Sequence, residues 1–339
     1  GVDTDVASIA QFINTYVSRN DRWLSPKFLI GESYGTFRSA ALVNYLEQHD
    51  TMQFNGVVLI SSVLDLSTIS FPAGQDLSYI LHLPTYAATA WYHKVLKDRP
   101  ADLVPFIDEA RKYAVGEYSA ALMKGAQLSD AEKAAVAKRL SYFTGLSEDY
   151  IIKADLRVNE PQFTAELQRQ RGLITGRLDA RFSGPTPDLL SEYAFSDPQS
   201  DAISGAYVAE FNTYVRNELK FGNGMVYHPA AEFNGAQWDF KHGGGFGFPG
   251  AANTEPDLVQ AMLGNPHLQI QVENGYFDLA TPFFGTEYTM DHLDGLPNDL
   301  RKNIQLKFYD AGHMMYVKES ELAKLKANVA AFIDMASKM

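Results

Sequence analysis

Near each end of this chain, strand-like apolar stretches alternate with segments in which apolar residues recur at helical spacing. Strand character is predicted over 27–31, 56–65, 268–275 and 304–312, and the stretch at 56–65 is continuous in apolar residues, as buried parallel strands are. Helical spacing, in which apolar residues recur every three or four positions, predicts helices over 4–18, 34–48 and 318–337. Strands that alternate with helices in this way predict the α/β fold class with a parallel sheet.

The middle of the chain has a different character, because helical patterns rich in Ala and Tyr replace the apolar runs. One helix is predicted over 130–143, where Ser129 and Glu132 form the spacing of a capping box. The uncharged stretch 77–93 contains Pro84 and several polar residues, which favours a buried or cleft-lining helix over a membrane span. We therefore predict a first core part over 1–65, a large and mainly helical cap insertion over 66–255, and a second core part over 256–339.

Composition excludes several classes of function. The net charge of −12 disfavours nucleic acid and anionic membranes as partners. The chain has no cysteine, which excludes disulfides, thiol catalysis and cysteine-ligated metals. Seven of the eight histidines show no spacing typical of metal ligands, namely those at 49, 82, 93, 228, 242, 267 and 292. Neither a metal nor an organic cofactor is therefore expected.

Candidate chemistry begins at residues 31–35, which read GESYG between a predicted strand and a predicted helix. In a strand–turn–helix setting, the G-x-S-x-G pattern forms a nucleophile elbow, with Ser33 exposed at the tip. We expect a Cβ on either glycine to clash with neighbouring backbone. The backbone N–H of Tyr34 would then be one oxyanion donor.

An acid and a histidine follow later strands, in the order that such a triad requires. Asp278 lies just past the strand at 268–275 and would orient the imidazole, whereas His313 lies just past the strand at 304–312 and would be the general base. Asp65, which also ends a predicted strand, is the alternative acid. Asp310 is expected in a surface turn.

The stretches GESYG, NGYFDLATP and AGHM resemble the serine carboxypeptidase family of α/β-hydrolases, particularly its bacterial members. The resemblance spans nearly the whole chain and implies Ser33, Asp278 and His313 as the catalytic triad. It further implies release of C-terminal residues from peptides through an acyl-enzyme, and it favours an exported protein. Glu32 is implied to help bind the substrate's C-terminal carboxylate together with a second acidic group, which would favour activity at acid pH.

The chain also departs from that family, whose members carry an N-terminal portion with the first strands and an N-G-G-P-G motif for the second oxyanion donor. That motif is lacking here, and HGGG at 242–245 follows the nucleophile instead of preceding it, so we expect it to be a loop of the cap. We therefore expect an N-terminally truncated chain whose strand at 27–31 pairs with a missing N-terminal fragment or with a second copy. An esterase or acyltransferase acting on non-peptide esters, a non-catalytic binding module and an inactive fragment that needs a second chain stay open as alternatives.

Overall fold

The computed structural model describes residues 1–229, 238–242 and 252–338, and it has a mixed α/β architecture. Its strands are β1 (Phe28–Glu32), β2 (Gly56–Ile60), β3 (Leu173–Thr175), β4 (Ser183–Pro185), β5 (Gln269–Gly275) and β6 (Ile304–Tyr309). Four of them form a parallel sheet in the order β1-β2-β5-β6, while β3 and β4 form a separate antiparallel pair.

The register of the parallel sheet brings the carboxyl ends of its strands to one edge. Glu32 at the end of β1 is paired with Ile60 at the end of β2, and Ile60 is paired with Glu273 near the end of β5. Gly275 at the end of β5 is paired with Tyr309 at the end of β6. The segments that follow these strands therefore start beside one another.

Helices flank this sheet and fill most of the sequence between β2 and β5. Their bounds are α1 (Val2–Arg19), α2 (Tyr34–Asp50), α3 (Leu77–Tyr92), α4 (Leu103–Tyr113), α5 (Ser119–Lys124), α6 (Asp130–Thr144), α7 (Glu148–Lys153), α8 (Glu160–Glu166), α9 (Pro198–Asn217), α10 (Glu255–Gly264), α11 (Phe283–Asp291), α12 (Asn298–Arg301) and α13 (Glu319–Ala336).

Most of the sequence-based elements are confirmed, but β6 was expected over 304–312 and ends at Tyr309, and a larger difference lies at β2. This strand was expected over 56–65, but it ends at Ile60. The reason is local: Ser61 has a φ of +50°, outside the extended region, so the chain turns out of the sheet there. The capping box of α6 is confirmed, since the Ser129 side chain accepts from the N–H of Glu132 and the Glu132 side chain accepts from the N–H of Ser129.

Three apolar clusters hold the elements in place. One packs α1, α2 and α10 against one face of the sheet, and another packs α13 against the opposite face. The third lies among α3, α4 and α6 and includes side chains that follow β5, namely Phe277, Leu279 and Phe283. The helical region is therefore packed directly onto the segment that carries Asp278. The division of the chain at residues 65 and 255 stays a prediction.

Strand β1 occupies one edge of the sheet among the described residues, and its Ile30 side chain is 56% exposed. Whether a second copy or a further segment pairs with β1 stays a prediction. Within the described part of the chain, no helix is both long and apolar enough to cross a membrane.

Candidate active site

Ser33 occupies a strained turn between β1 and α2. Its φ of 55° and ψ of −126° lie outside the regions that residues with a side chain normally adopt. The turn is held by its own backbone: the N–H of Ser33 donates to the Ile60 carbonyl at 3.0 Å, and the N–H of Thr36 donates to the Ser33 carbonyl at 2.8 Å. The sheet and the following helix thus fix the conformation of the serine.

The two glycines that flank this turn differ in whether a residue with a Cβ could replace them. A Cβ on Gly31 would lie 2.1 Å from the Gly35 carbonyl oxygen, so no larger residue fits there without movement of the backbone. A Cβ on Gly35 would meet no described atom within 4 Å. The expected clash is therefore confirmed at Gly31 and wrong at Gly35, because the close approach is made by the Gly35 carbonyl and not by its Cα.

Asp278 and His313 are brought together in a buried pair. The Nδ1 atom of His313 lies 2.8 Å from Oδ2 of Asp278, and their side chains are 6% and 1% exposed. The other oxygen of Asp278 accepts from the backbone N–H groups of Ala280 and Thr281, both at 2.9 Å, and the Thr281 hydroxyl donates to Oδ2 at 2.7 Å. A carboxylate with this many donors is held in one orientation, and it orients the imidazole in turn.

The electrostatics of the pair favour the protonated imidazole. Burial alone would lower the pKa of His313, but the charges of Asp278 and Glu32 and the hydrogen bond that Nδ1 donates to Asp278 outweigh it, so the pKa is raised. Among the described residues, the imidazole makes its hydrogen bonds through Nδ1. Nε2 of His313 has no hydrogen-bond partner among the described residues, and no hydrogen bond there joins it to the Ser33 hydroxyl.

A segment of the helical region, residues 177–181, holds both loops that carry this pair. The Leu178 carbonyl accepts from the backbone N–H of His313 at 2.7 Å, and the Arg177 carbonyl accepts from the N–H of Leu279 at 3.1 Å. The Ser61 hydroxyl completes the support by donating to the His313 carbonyl at 2.6 Å. The positions of Asp278 and His313 thus depend on residues distant in sequence.

Asp179 is the buried centre of this segment. Its carboxylate forms an ion pair with Arg181 at 2.6 Å and accepts from the N–H of Gly312 at 3.2 Å, while Arg181 also donates to the Asp310 carbonyl at 2.7 Å. The backbones are in close contact, since a Cβ on Gly312 would lie 2.5 Å from the Cα of Asp179. The residue before His313 must therefore be glycine unless the segment moves.

Glu32 lies between this pair and a tyrosine that the sequence did not indicate. The Tyr316 hydroxyl lies 3.1 Å from each carboxylate oxygen of Glu32. Burial is the main effect on the pKa of Glu32 and raises it, and the charge of Asp278 adds to this effect. The charge of His313 and the Tyr316 hydrogen bond lower the pKa, but the net shift is upward. Glu32 can therefore hold a proton at a higher pH than an ordinary glutamate.

The backbone N–H of Tyr34 begins α2, where no intrahelical acceptor exists. Its side chain points to α1, because the hydroxyl donates to Asp5 at 3.0 Å. The N–H is thus placed at the helix N-terminus directly after Ser33, where it can face a developing negative charge. Of the HGGG motif, residues 243–245 lie outside the described residues, while His242 is held between Asp3 and Asp257 at 2.7 and 2.8 Å.

The two other acids considered from the sequence have local structural roles. Asp65 caps a short 3₁₀ helix by accepting from the N–H and hydroxyl of Ser67, both at 2.8 Å. Asp310 is exposed and pairs with Lys318, as expected for a surface turn. Asp278 is thus the acid that contacts His313.

Sequence reasoning missed Thr281, Tyr316 and the segment 177–181. Thr281 had a local signal, since an Asp followed three residues later by Thr commonly forms a hydrogen-bonded turn. The other contacts had none, because they join residues more than a hundred positions apart. Within the described residues, no group of three or more His, Asp or Glu side chains is arranged to hold a metal ion.

Comparisons with models of protein families, with curated proteins and with solved structures found no match to this chain.

Proposed function

We propose that the chain has an α/β-hydrolase fold with a helical cap and is a serine hydrolase of the carboxypeptidase type. The observation that carries the proposal is the buried hydrogen bond of 2.8 Å between Asp278 and His313. It lies at the same edge of the sheet as the strained turn of Ser33. The order serine, acid, histidine along the chain, after β1, β5 and β6 of the parallel sheet, supports the fold.

In this mechanism, Nε2 of His313 takes the proton of the Ser33 hydroxyl as Oγ attacks the carbonyl carbon of the last peptide bond. The tetrahedral oxyanion that forms is stabilised by the N–H of Tyr34. When the C–N bond breaks, His313 donates the proton to the leaving amine, and an acyl-serine is left. Water then attacks the ester by the same route, with His313 as base, and Asp278 stabilises the imidazolium in both steps.

Glu32 would select substrates with a free C-terminus. A protonated Glu32 can donate a hydrogen bond to the carboxylate of the substrate, whereas an ionised Glu32 would repel it. The raised pKa and the Tyr316 contact support this role. Recognition should therefore strengthen as the pH falls, which favours peptidase activity at acid pH.

The alternative activity is hydrolysis or transfer of non-peptide esters by the same residues. It is favoured if the N–H of Tyr34 is the main oxyanion donor, since an ester is cleaved more readily than an amide and demands less stabilisation of the oxyanion. Loss of one oxyanion donor typically lowers the rate by about 10²–10³.

The experiment compares three N-blocked dipeptide substrates: one with a free carboxylate, its C-terminal amide, and the matching ester. The proposal expects the free acid to be cleaved at least about tenfold faster in kcat/KM than the amide at pH 5, because the amide cannot accept the charge-assisted hydrogen bond. Cleavage of the ester without either peptide would support the alternative activity. Failure to cleave any of the three would contradict both.

A further inference from the structure

A cleft beside the proposed catalytic pair contains the side chain of Arg177, whose guanidinium group lies near an acid but is not hydrogen-bonded to it. The cleft has a volume of about 420 Å³, and its lining includes Glu160, Arg177, Leu178, Tyr193 and Asp197. It adjoins the catalytic pair through the backbone, since the Leu178 carbonyl accepts from the N–H of His313 and the Arg177 carbonyl accepts from the N–H of Leu279. Arg177 is also close enough to His313 for its charge to lower the pKa of that imidazole, so a group bound to Arg177 would lie near the proposed catalytic pair.

Arg177 lacks a hydrogen-bonded acidic partner among the described residues of this cleft. Its side chain is 50% exposed, and the nearest acidic atom, Oε2 of Glu160, lies 3.6 Å from Nε, beyond hydrogen-bond distance. Among the described residues, neither terminal nitrogen of its guanidinium group has a hydrogen-bond partner. The planar fork of a guanidinium matches a carboxylate in two parallel hydrogen bonds, which makes a carboxylate the best-fitting ligand.

The backbone at Arg177 is fixed, so the side chain projects from a rigid base. Asp197, which caps α9, accepts from the N–H groups of Arg177 and Leu178 at 2.7 and 2.9 Å. The carboxylate of Asp197 is thereby occupied by backbone donors of this turn and of its own helix. It is not available as the main partner of the guanidinium.

We propose that this cleft binds an acidic side chain of the peptide substrate, at one of the two residues that flank the scissile bond, through the guanidinium of Arg177. This inference rests on the proposed peptidase function and deepens it by naming a substrate class. The terminal carboxylate is assigned to Glu32, so the carboxylate that reaches Arg177 comes from a side chain.

Glu160 makes the binding depend on pH. Its burial and the charge of Asp197 raise its pKa to about 7, against the lowering effect of Arg177. Below pH 7 Glu160 is mostly neutral, and Arg177 is free to pair with a substrate carboxylate; above pH 7 the ionised Glu160 competes for the guanidinium. Asp197 and Tyr193 line the cleft together with Arg177. His82 and His313 are also close enough to interact with its charge, and both become more repulsive to it as they gain protons.

The test measures binding by calorimetry to the full chain with Ser33→Ala, so that peptides are not consumed. The probes are acetyl-Ala-Glu-Ala and acetyl-Ala-Ala-Glu, each with its Gln counterpart, and the C-terminal amides of all four. At pH 5.5 we expect one Glu peptide to bind roughly tenfold tighter than its Gln counterpart, in the range of a partly exposed charge-assisted hydrogen bond. Amidation should weaken both members of the pair and leave their ratio unchanged.

Three further variants make the test specific. Arg177→Gln should abolish the Glu-over-Gln preference, while Arg171→Gln should retain it, since Arg171 is an exposed arginine that bonds to the His93 carbonyl and does not line the cleft. In Glu160→Gln the preference should persist at pH 8, where the parent loses it.

Equal binding of Glu and Gln peptides, or a preference that survives Arg177→Gln, would overturn the inference. A loss of affinity in Arg177→Gln that is equal for Glu and Gln peptides and absent for their amides would assign Arg177 to the terminal carboxylate and overturn it as well. Hydrolysis is measured separately, so loss of the peptidase proposal would appear as uncleaved peptides with the binding preference intact.

Discussion

The backbone N–H of His313 donates a hydrogen bond of 2.7 Å to the carbonyl of Leu178, a residue 135 positions earlier in the chain. The loop that carries the imidazole is therefore not positioned by its own strand alone. It rests on a segment of the helical region, whose neighbouring Asp179 and Arg181 are paired beneath it. Stability of this segment and geometry of the Asp278–His313 pair should consequently change together.

Substitution of Asp179 tests that link. Asp179→Ala leaves Arg181 without its partner and removes the acceptor of the Gly312 N–H, so we expect the free energy of unfolding to fall by about 3–5 kcal/mol. Urea denaturation measures the change. The control is Asp149→Ala, which breaks an exposed pair with Lys153 and should cost less than about 1 kcal/mol. Similar losses in the two variants would show that the buried pair does not hold the loop.

Stability should depend on pH through His242. Hydrogen bonds and charges from Asp257 and Asp3 raise the pKa of His242 to about 8, against the lowering effect of burial. A folded-state pKa above the unfolded value of 6.5 means that this stabilisation is complete below pH 6.5 and is lost as the pH rises through 8. His242→Gln should thus lower Tm more at pH 6 than at pH 9.

Thermal unfolding at several pH values measures this difference, and exposed His267 provides the control. His267→Gln should shift Tm equally at pH 6 and pH 9. A difference between the parent and His242→Gln that stays constant, or that grows with rising pH, would contradict the ion pairs described for His242.

The pH dependence of peptide cleavage should follow the protonation of Glu32. The Tyr316 hydrogen bond lowers the pKa of Glu32, so Tyr316→Phe should raise it and extend peptide cleavage to higher pH. Glu32→Gln should remove the fall in peptide cleavage that accompanies ionisation of Glu32, and it should affect ester hydrolysis less. Profiles of kcat/KM against pH for a peptide and an ester measure both effects, and equal effects on the two substrates would count against a role in carboxylate recognition.

The strands and the candidate triad could be predicted because their signals are local or follow from sheet topology. Ser33 lies in a five-residue pattern, and Asp278 and His313 each follow a strand whose carboxyl end meets the others at one edge. A pattern in one segment contains no information on contacts such as Tyr316 with Glu32 or Asp179 with Gly312, which the folded chain creates over long separations.

Two local expectations failed for reasons that hydrophobicity does not reveal. Strand β2 ends at Ile60, although the apolar run continues, because Ser61 takes a positive φ. Gly35 was expected to be sterically required, but the atom that approaches Gly31 is the Gly35 carbonyl oxygen, which any residue would carry.

Ser33 is the residue on which the whole proposal depends. Ser33→Ala should lower turnover by about 10⁴-fold or more without loss of folding, since only the hydroxyl that attacks the substrate is removed. Removal of the proposed general base in His313→Ala should have a similar effect on turnover.

The most direct measurement is reaction of the purified chain with a fluorophosphonate probe, followed by mass-spectrometric mapping of the modified peptide. The account predicts one phosphonylated residue, Ser33, with labelling abolished in Ser33→Ala and strongly slowed in His313→Ala. Labelling at a different serine, or undiminished labelling of the folded Ser33→Ala protein, would contradict it.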